Sequence, residues 1–579
     1  LTGSTSYWGE ATAFLNRFRR TGWIDLLILA GLGGAFLGII SLASDWTGPS
    51  RPAVDIDLSL SALPLYTFYS LCRGLLAYVL SLIFTIVYGY WAAKDQVAEK
   101  VLVPLLDILQ SIPVLGFMPG VVLALVAVFP RSNIGLELAS VIMIFTGQAW
   151  NMTFSFYHSL RSIPGDQREA ATVYRFTWWE RLKTVELPFS AIGLVWNSMM
   201  SMAGGWFFLM ITETFVLGSK DFRLRGIGSY MSVAVAKGNV PAMLWAIVAM
   251  VLMIVLLDQL LWRPVVTWAE KFRVEESSGQ EAATSWFLDL LHQSRMIAGV
   301  KILVDKLRNA LAREKASPHH APVAAEKSPR WAGALSLAVF AVLLGSCALG
   351  AWELFRILRR LTLKDWLPIV DSDLWTLGRV LISTAVGTIW AVPAGLAIGL
   401  SPKLSRILQP VAQVAASFPA PMLFPLVIAG LHAAGIGLGW GSVVLMLLGT
   451  QWYILFNVIA GATSVPGDLR EVSTSYRLSR MARFRTLYLP ALFPYLVTGW
   501  VTAAGGAWNA SIVAEYVSYK GQTLTANGLG ARISEAAEHG DFARLAASVV
   551  IMALTVVVFN RVVWKRCYAL AEERFSLSK

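Results

Sequence analysis

About twelve stretches of some 20 predominantly apolar residues run through this chain, at 23–43, 66–92, 100–128, 136–160, 189–217, 242–264, 332–353, 375–400, 405–431, 437–462, 491–517 and 544–566. A helix rising 1.5 Å per residue needs about 20 such residues to cross roughly 30 Å of hydrocarbon. In lipid the backbone must satisfy its own hydrogen bonds, which a helix does within one segment. Hydrophobic residues make up 56% of the chain and charged residues 15%, far from the balance of a soluble domain. The expected fold class is therefore all-α: a polytopic membrane protein of about 12 transmembrane helices.

The formal net charge is +12. Its Lys and Arg residues sit mainly between spans, so the positive-inside rule explains them better than a nucleic-acid partner, and membrane lipid is the partner surface. Arg17, Arg19 and Arg20 precede the first span and place the N-terminus in the cytosol; six spans later the basic stretch 263–330 returns there, and twelve spans leave the C-terminus on the same side. Two loops run against a strict charge rule although the topology puts them outside: 219–240, with Lys220, Arg223, Arg225 and Lys237, and 356–364, with Arg356, Arg359, Arg360 and Lys364. The first apolar run is followed by Asp45, Pro49 and Pro52 rather than a small-residue cleavage site, and is expected to be a retained span. Cys72, Cys347 and Cys567 show no metal or disulfide spacing and read as packing residues; no metal site is expected. There is no Gly-x-x-x-x-Gly-Lys-Ser/Thr phosphate loop and no catalytic constellation. The chain reads as a non-enzyme that binds no cofactor and takes its energy from elsewhere.

The chain repeats itself. Segments 164–188 and 466–490 are identical at twelve of 25 positions. The offset of 302 continues through Trp150 and Trp452, Gly204 and Gly506, Trp206 and Trp508, Glu213 and Glu515, and Trp262 and Trp564. Upstream, at an offset of 306, Arg73 matches Arg379 and Pro113 matches Pro419. Six expected spans separate the two copies, so both polar segments face one side and the six-helix halves are parallel, related by an axis along the membrane normal. The expected division is 1–65, a span and outer loop; 66–272, a first core; 273–330, a cytosolic linker; 331–373, an additional span and outer loop; and 374–579, a second core. In the linker, Trp286, Phe287, Leu290, Ile297, Ile302, Leu303 and Leu307 alternate with Arg295, Lys301, Lys306 and Arg308. That pattern suits either a helix on the inner membrane surface or a plain connecting helix, followed by an Ala/Pro/Ser/His-rich tether in which His319 and His320 are solvated.

A polar, helix-compatible segment placed twice between spans on the cytosolic side calls for a partner. It resembles the EAA loop of binding-protein-dependent ABC importer permeases, whose pattern is Glu-Ala-Ala, a Gly six residues after the Glu, and a later Leu-Pro. Glu169, Ala170, Ala171, Leu187 and Pro188 match in the first half, and Glu471, Leu489 and Pro490 in the second, where Val472 and Ser473 replace the alanines. The expected Gly is Arg175 in one half and Arg477 in the other, which opens the docking geometry there to change. By this resemblance the residues that couple to the ATPase are Gly165, Asp166, Arg168, Glu169, Ala170, Ala171, Tyr174 and Arg175, with Gly467, Asp468, Arg470, Glu471, Tyr476 and Arg477.

A second resemblance, over roughly 65–272 and 373–575, narrows the family to nitrate/sulfonate/taurine-type permeases. It rests on Ala203, Trp206, Glu213, Gly226-Ile227-Gly228, Asp258 and Trp262, and in the second half on Trp508, Glu515, Gly528-Leu529-Gly530 and Trp564, with Asn560 where Asp is expected. The resemblance implies a type I ABC importer permease fold in the bacterial inner membrane. It also implies two copies of a cytosolic ABC ATPase that hold the ATP and Mg, a periplasmic or lipid-anchored solute-binding protein, and a small anion as cargo: nitrate, sulfonate, taurine or bicarbonate.

Candidate pathway or gate residues are Arg73, Gln148, Asn151, Asn197, Thr212 and Glu213 in the first half, and Arg379, Gln451, Asn457, Thr498, Asn509 and Glu515 in the second. Glu213 and Glu515 stand in apolar runs and must be paired, protonated or near water; they fit either an external gate or hydrogen-bond anchors before the Gly-x-Gly loop. Arg73 and Arg379 fit either an oxyanion fork or interfacial side chains that snorkel to headgroups, and the amides and hydroxyls fit either a pathway or helix-to-helix bonds. Prolines 113 and 119, and 419, 421 and 425, are expected to kink or break the third core span of each half. A rival from another class is an ion-coupled secondary transporter that uses Glu213 and Glu515.

Overall fold

In a computed structural model, the described residues are 23–48, 54–217, 220–272, 285–294, 330–519 and 522–575. Arg17, Arg19, Arg20, His319, His320 and most of the linker, on which expectations were placed, lie outside them.

The first half runs through α1 (Trp23–Thr47), α2 (Leu63–Lys94), α3 (Gln96–Ser111), α4 (Val114–Val128), α5 (Ile134–Arg161), α6 (Gly165–Val173), α7 (Trp178–Arg181) and α8 (Leu187–Thr212). A hairpin follows, β1 (Thr214–Leu217) and β2 (Lys220–Arg223), then α9 (Ile227–Ala236), α10 (Val240–Leu257) and α11 (Arg263–Ala269). The linker contributes α12 (Trp286–Gln293). The second half comprises α13 (Arg330–Leu358), α14 (Leu363–Leu400), α15 (Pro402–Ser417), α16 (Phe424–Ala433), α17 (Leu438–Thr463), α18 (Gly467–Ser475), α19 (Arg480–Arg483), α20 (Leu489–Ala514), β3 (Tyr516–Tyr519), β4 (Gln522–Thr525), α21 (Leu529–His539), α22 (Phe542–Phe559) and α23 (Lys565–Phe575). From α6 onward every element of the first half has a counterpart beginning 302 residues later. The wider π-helical turns repeat too: Leu182–Glu186 matches Phe484–Tyr488, and Asp258–Trp262 matches Asn560–Trp564.

Among the described residues, eight helices are long and apolar enough to cross a membrane, or nine if α15 and the Ala420–Ala433 stretch, bent by 83°, form one span. The count of about twelve differs for physical reasons. The 100–128 run is divided at Ile112–Pro113, where Ile112 is extended and α3 and α4 are left with 16 and 15 residues; a residue before proline is driven out of helical geometry. The second half breaks at the matching place, Phe418–Pro419. The 136–160 run forms the 28-residue α5, whose apolar content is diluted by Glu137, Gln148, Asn151 and His158. The 332–353 run lies within the 29-residue α13. Helix α1 is apolar yet exposes Leu26, Leu27, Leu32, Phe36 and Leu37, as lipid-facing surface does.

The chain divides into two compact units, each drawn from three segments. One comprises Leu1–Thr47, Ser155–Met199 and Val255–Val342. Within it α12 is held at both ends: Trp286 Nε1 donates to Gln259 Oε1 at 2.9 Å, and Ser294 Oγ to the buried Asp25 Oδ1 at 2.6 Å. The other comprises Gly48–Phe154, Met200–Ile254 and Leu343–Lys579. Its packing among α14, α17 and α20 uses Ala391, Ile454, Val458, Ala462, Leu492 and Ala503. Small side chains there let helices approach closely, the main source of helix association in lipid.

Candidate functional site

Two buried arginine–carboxylate clusters anchor the second unit. Ser70 and Arg73 lie one turn apart on α2, so their side chains share a face. Arg73 grips Glu137 of α5 with a fork, Nε to Oε2 at 2.5 Å and Nη2 to Oε1 at 2.7 Å, and donates from Nη1 to Glu213 Oε1 at 2.8 Å. Glu213 follows the last residue of α8. Its Oε1 also accepts from Ser70 Oγ at 2.6 Å, its Oε2 from the Gly228 N–H at 2.7 Å, and its carbonyl from Leu224 N–H and Ser229 Oγ. The carboxylate therefore fastens the end of α8 to the start of α9, where free N–H groups favour negative charge.

The second half rebuilds this arrangement with one change. Arg379 Nη1 donates to Glu515 Oε1 at 2.8 Å and to the Asn527 carbonyl at 2.9 Å. Thr376 Oγ1 bonds Glu515 as Ser70 bonds Glu213, and Gly530 N–H donates to Glu515 Oε2 at 2.9 Å. Where Arg73 meets Glu137, Arg379 Nε meets the carbonyl of Gly439, the residue 302 positions after Glu137. One guanidinium faces two carboxylates in the first half and one in the second. All five charged side chains are buried, so each needs its partner: removing one member of such a set strands the rest in low dielectric.

The Gly-x-Gly pattern has its cause here. A Cβ on Gly226 would lie 2.2 Å from Glu213 Oε2, and one on Gly528 would lie 2.2 Å from Glu515 Oε2. Only glycine lets the backbone come that close to the carboxylate.

The hairpins were not expected from sequence; their four-residue strands read as the tail of an apolar run and a charged loop. β1 pairs antiparallel with β2, and β3 with β4. The Tyr516 hydroxyl of β3 donates to Glu538 of α21. Burial, and then that carboxylate, push the Tyr516 phenol well above its ordinary range.

The repeated polar segments fold alike. Helix α6 ends in a double turn in which Phe176 N–H donates to Ala171 O and Arg175 N–H to Thr172 O; in α18, Leu478 and Arg477 make the same bonds to Ser473 and Thr474. This is the Schellman closure, which needs a left-handed residue just past the helix, ordinarily glycine. Arg175 takes φ +54° and Arg477 φ +50°, and among the described residues no other non-glycine has positive φ. The missing Gly leaves the turn unchanged, at about 1–2 kcal/mol for an L-residue in that region. Ala171 and Ser473 are buried under the turn. Arg168 Nη2 donates to the Leu160 and Arg161 carbonyls, and Arg470 Nη2 to the Ala462 carbonyl, capping the helices that precede them. Glu169, Ala170, Glu471 and Val472 are exposed, with Gly165, Asp166, Gly467 and Asp468 at the exposed helix starts. Tyr174 and Tyr476 are 74% and 77% exposed.

The remaining candidates are scattered. Gln148 is buried, with Ser81 Oγ at 3.4 Å from its Oε1, and Thr212 shares a 2.8 Å bond with Ser140. Asn197 and Asn457 bond back to Gly193 and Tyr453 carbonyls of their own helices. Asn151 and Thr498 are exposed and Gln451 is half-buried. Asn509 Oδ1 accepts the Val114 N–H at 2.8 Å, joining a helix of the second repeat to one of the first. Sequence reasoning missed Ser70, Glu137, Thr376 and Asn527. A signal existed for three of them: the Ser/Thr-x-x-Arg step recurs at offset 306, and Glu137 is an ionisable residue inside an apolar run.

A family model described as the binding-protein-dependent transport system inner membrane component matches residues 64–261 and again 386–564. The chain is 27% identical over 194 residues to the nitrate import permease protein NrtB of Leptolyngbya laminosa, covering 33% of this chain and 66% of that one. It is 28% identical over 146 residues to the bicarbonate transport system permease protein CmpB of Synechocystis sp., covering 25% and 51%. It is 26% identical over 203 residues to the taurine transport system permease protein TauC of Escherichia coli, covering 34% and 68%. The chain thus spans about half to two thirds of the length of these curated relatives.

Proposed function

The chain belongs to the family of binding-protein-dependent transport system inner membrane components and carries its domain twice, and from that premise we propose that it is the fused permease of an ABC importer for a small anion. The observation that carries this reading is the twice-built helix and left-handed turn at α6 and α18, exposed at Glu169, Tyr174, Glu471 and Tyr476. Each is a coupling element for one of two cytosolic ATPase subunits, which hold the ATP and Mg. A solute-binding protein delivers cargo to the outer face, and alternating access follows the different affinity of the ATPases for the two states.

In this reading the membrane is the bacterial inner membrane, both termini are cytosolic, and the chain has about twelve spans in all, most of them in two cores of the type I fold, 66–272 and 374–579. The linker 273–330 joins the cores, and 1–65 and 331–373 add the flanking spans. Nitrate, bicarbonate and taurine stand in the names of the relatives, and all three carry an oxyanion group. Asn151, Gln451 and Asn457 are the polar groups assigned to the pathway. The carboxylates of Glu213 and Glu515 have both oxygens engaged, which favours a structural role over an ion-coupling one.

Uptake of labelled nitrate, bicarbonate and taurine into proteoliposomes holding the chain with its cognate ATPase and binding protein tests the reading. ATP-dependent uptake of one of them is expected. Uptake that persists without ATP or the ATPase would sink it.

A further inference from the structure

Resting on the reading of α6 and α18 as ATPase-docking elements, we propose that Arg175 and Arg477 are the partner-contact residues of these loops, each pairing with a carboxylate at the rim of the ATPase groove.

Six of the twelve positions shared by 164–188 and 466–490 have an internal reason. Pro164 and Pro466 precede the first turns, and Asp166 and Asp468 place acid where a helix N-terminus favours it. Arg168 and Arg470 cap the helices before them, and Thr172 and Thr474 bond the Arg168 and Arg470 carbonyls at 2.9 Å. The Leu-Pro steps open α8 and α20. Arg175 and Arg477 have none. Both guanidinium groups are exposed, and among the described residues neither makes a hydrogen bond or ion pair. Their backbone conformation is one that glycine adopts freely and arginine adopts under strain. Both copies nevertheless hold arginine, while thirteen of the surrounding positions have diverged. A side chain kept against its own backbone, twice, and aimed away from the chain acts on something outside it.

Charge identifies what that is. Segment 466–490 carries five basic residues, Arg470, Arg477, Arg480, Arg483 and Arg485, against Asp468 and Glu471, whereas in 164–188 Arg168, Arg175, Arg181 and Lys183 are balanced by Asp166, Glu169, Glu180 and Glu186, so the charge excess belongs to the second loop and the exposed guanidinium to both. That excess of positive charge suits an acidic surface, and a guanidinium fork is matched by a carboxylate. Lipid headgroups could offer a similar anion, and the test separates the two.

The experiment measures binding of the cognate ABC ATPase subunit to the chain in nanodiscs of neutral lipid, where no anionic headgroup competes. Arg175→Gly with Arg477→Gly is expected to weaken binding tenfold or more while leaving the melting temperature unchanged or raised, because the strain is relieved. Arg175→Lys with Arg477→Lys keeps the charge and should stay within about threefold of the parent. A glycine variant that binds as tightly as the parent overturns the assignment, as does a loss of binding that comes with a lowered melting temperature. Loss confined to nanodiscs of anionic lipid assigns the arginines to headgroups instead and also overturns it. A parent chain that does not bind the ATPase at all overturns the docking reading itself, a result distinct from these.

Discussion

Arg73 Nη1 lies 2.8 Å from Glu213 Oε1, and both side chains are shut away from solvent. The pair does more than neutralise charge. Glu213 accepts the Gly228 N–H of α9 while Arg73 holds Glu137 of α5, so one guanidinium fixes α2, α5, the end of α8 and the start of α9. The second half secures the same junction through Arg379 and Glu515, with a backbone carbonyl in place of the extra carboxylate.

That difference sets unequal sensitivities. Arg73→Met strands two carboxylates and is expected to destabilise by roughly 3–5 kcal/mol. Arg379→Met strands one and should fall at the lower end of that range. Thermal unfolding in detergent, followed by tryptophan fluorescence, compares them; equal losses would mean that Glu137 adds nothing to the dependence on Arg73.

Gly226→Ala and Gly528→Ala each drive a methyl into a carboxylate that has no free direction to move. The expected cost is about 1–3 kcal/mol apiece, as for overpacked sites generally. Gly120→Ala, where a Cβ meets nothing within 4 Å, is the control and should be neutral or stabilising. The same unfolding assay reads all three, and an unperturbed Gly226 variant would show that the junction is looser than drawn.

Arg168→Ala removes the donor that serves two carbonyls at the end of α5. A cap of this kind is worth about 1 kcal/mol, and its loss should fray the last turn. Faster amide exchange is expected at 160–163, with α6 itself unchanged. Arg470→Ala should act in the same direction on the end of α17, through its bond to Ala462. Exchange that rises along the whole of α6 would contradict a local capping role.

How much of this was legible in the sequence follows from the range of each interaction. The duplication and the break before Pro113 and Pro419 are local, and they were readable because proline acts on its immediate neighbour; the count of about twelve spans was not, since among the described residues eight or nine helices are long and apolar enough to cross. The Gly-x-Gly pattern was visible, but its cause was not: the carboxylate that excludes a Cβ stands 13 residues before Gly226, and the link exists only once α8 and α9 fold back together. Glu137 could be found as a charge in an apolar run, yet nothing local pairs it with Arg73 across 64 residues. At Arg175 the sequence showed that a glycine was missing; it could not show that the turn would keep its left-handed form regardless.

Asn509 offers the sharpest test of how the repeats have diverged. Helix α4 begins after Pro113, which supplies no side-chain cap, and the N–H of Val114 is met instead by Asn509 Oδ1 of α20 at 2.8 Å. The position equivalent to Asn509 in the first half is Phe207, which has no acceptor to offer. The bond therefore runs one way, donated by the first repeat and accepted by the second. Asn509→Ala should cost about 0.5–2 kcal/mol, the range for losing an N-terminal cap, and should speed exchange at the first turn of α4. Asn509→Asp keeps an acceptor at a helix N-terminus, so exchange there should stay slow even if the added charge lowers overall stability. If both variants leave the first turn of α4 equally protected, Asn509 is not its cap, and the asymmetry lies only in the carboxylate count around Arg73 and Arg379.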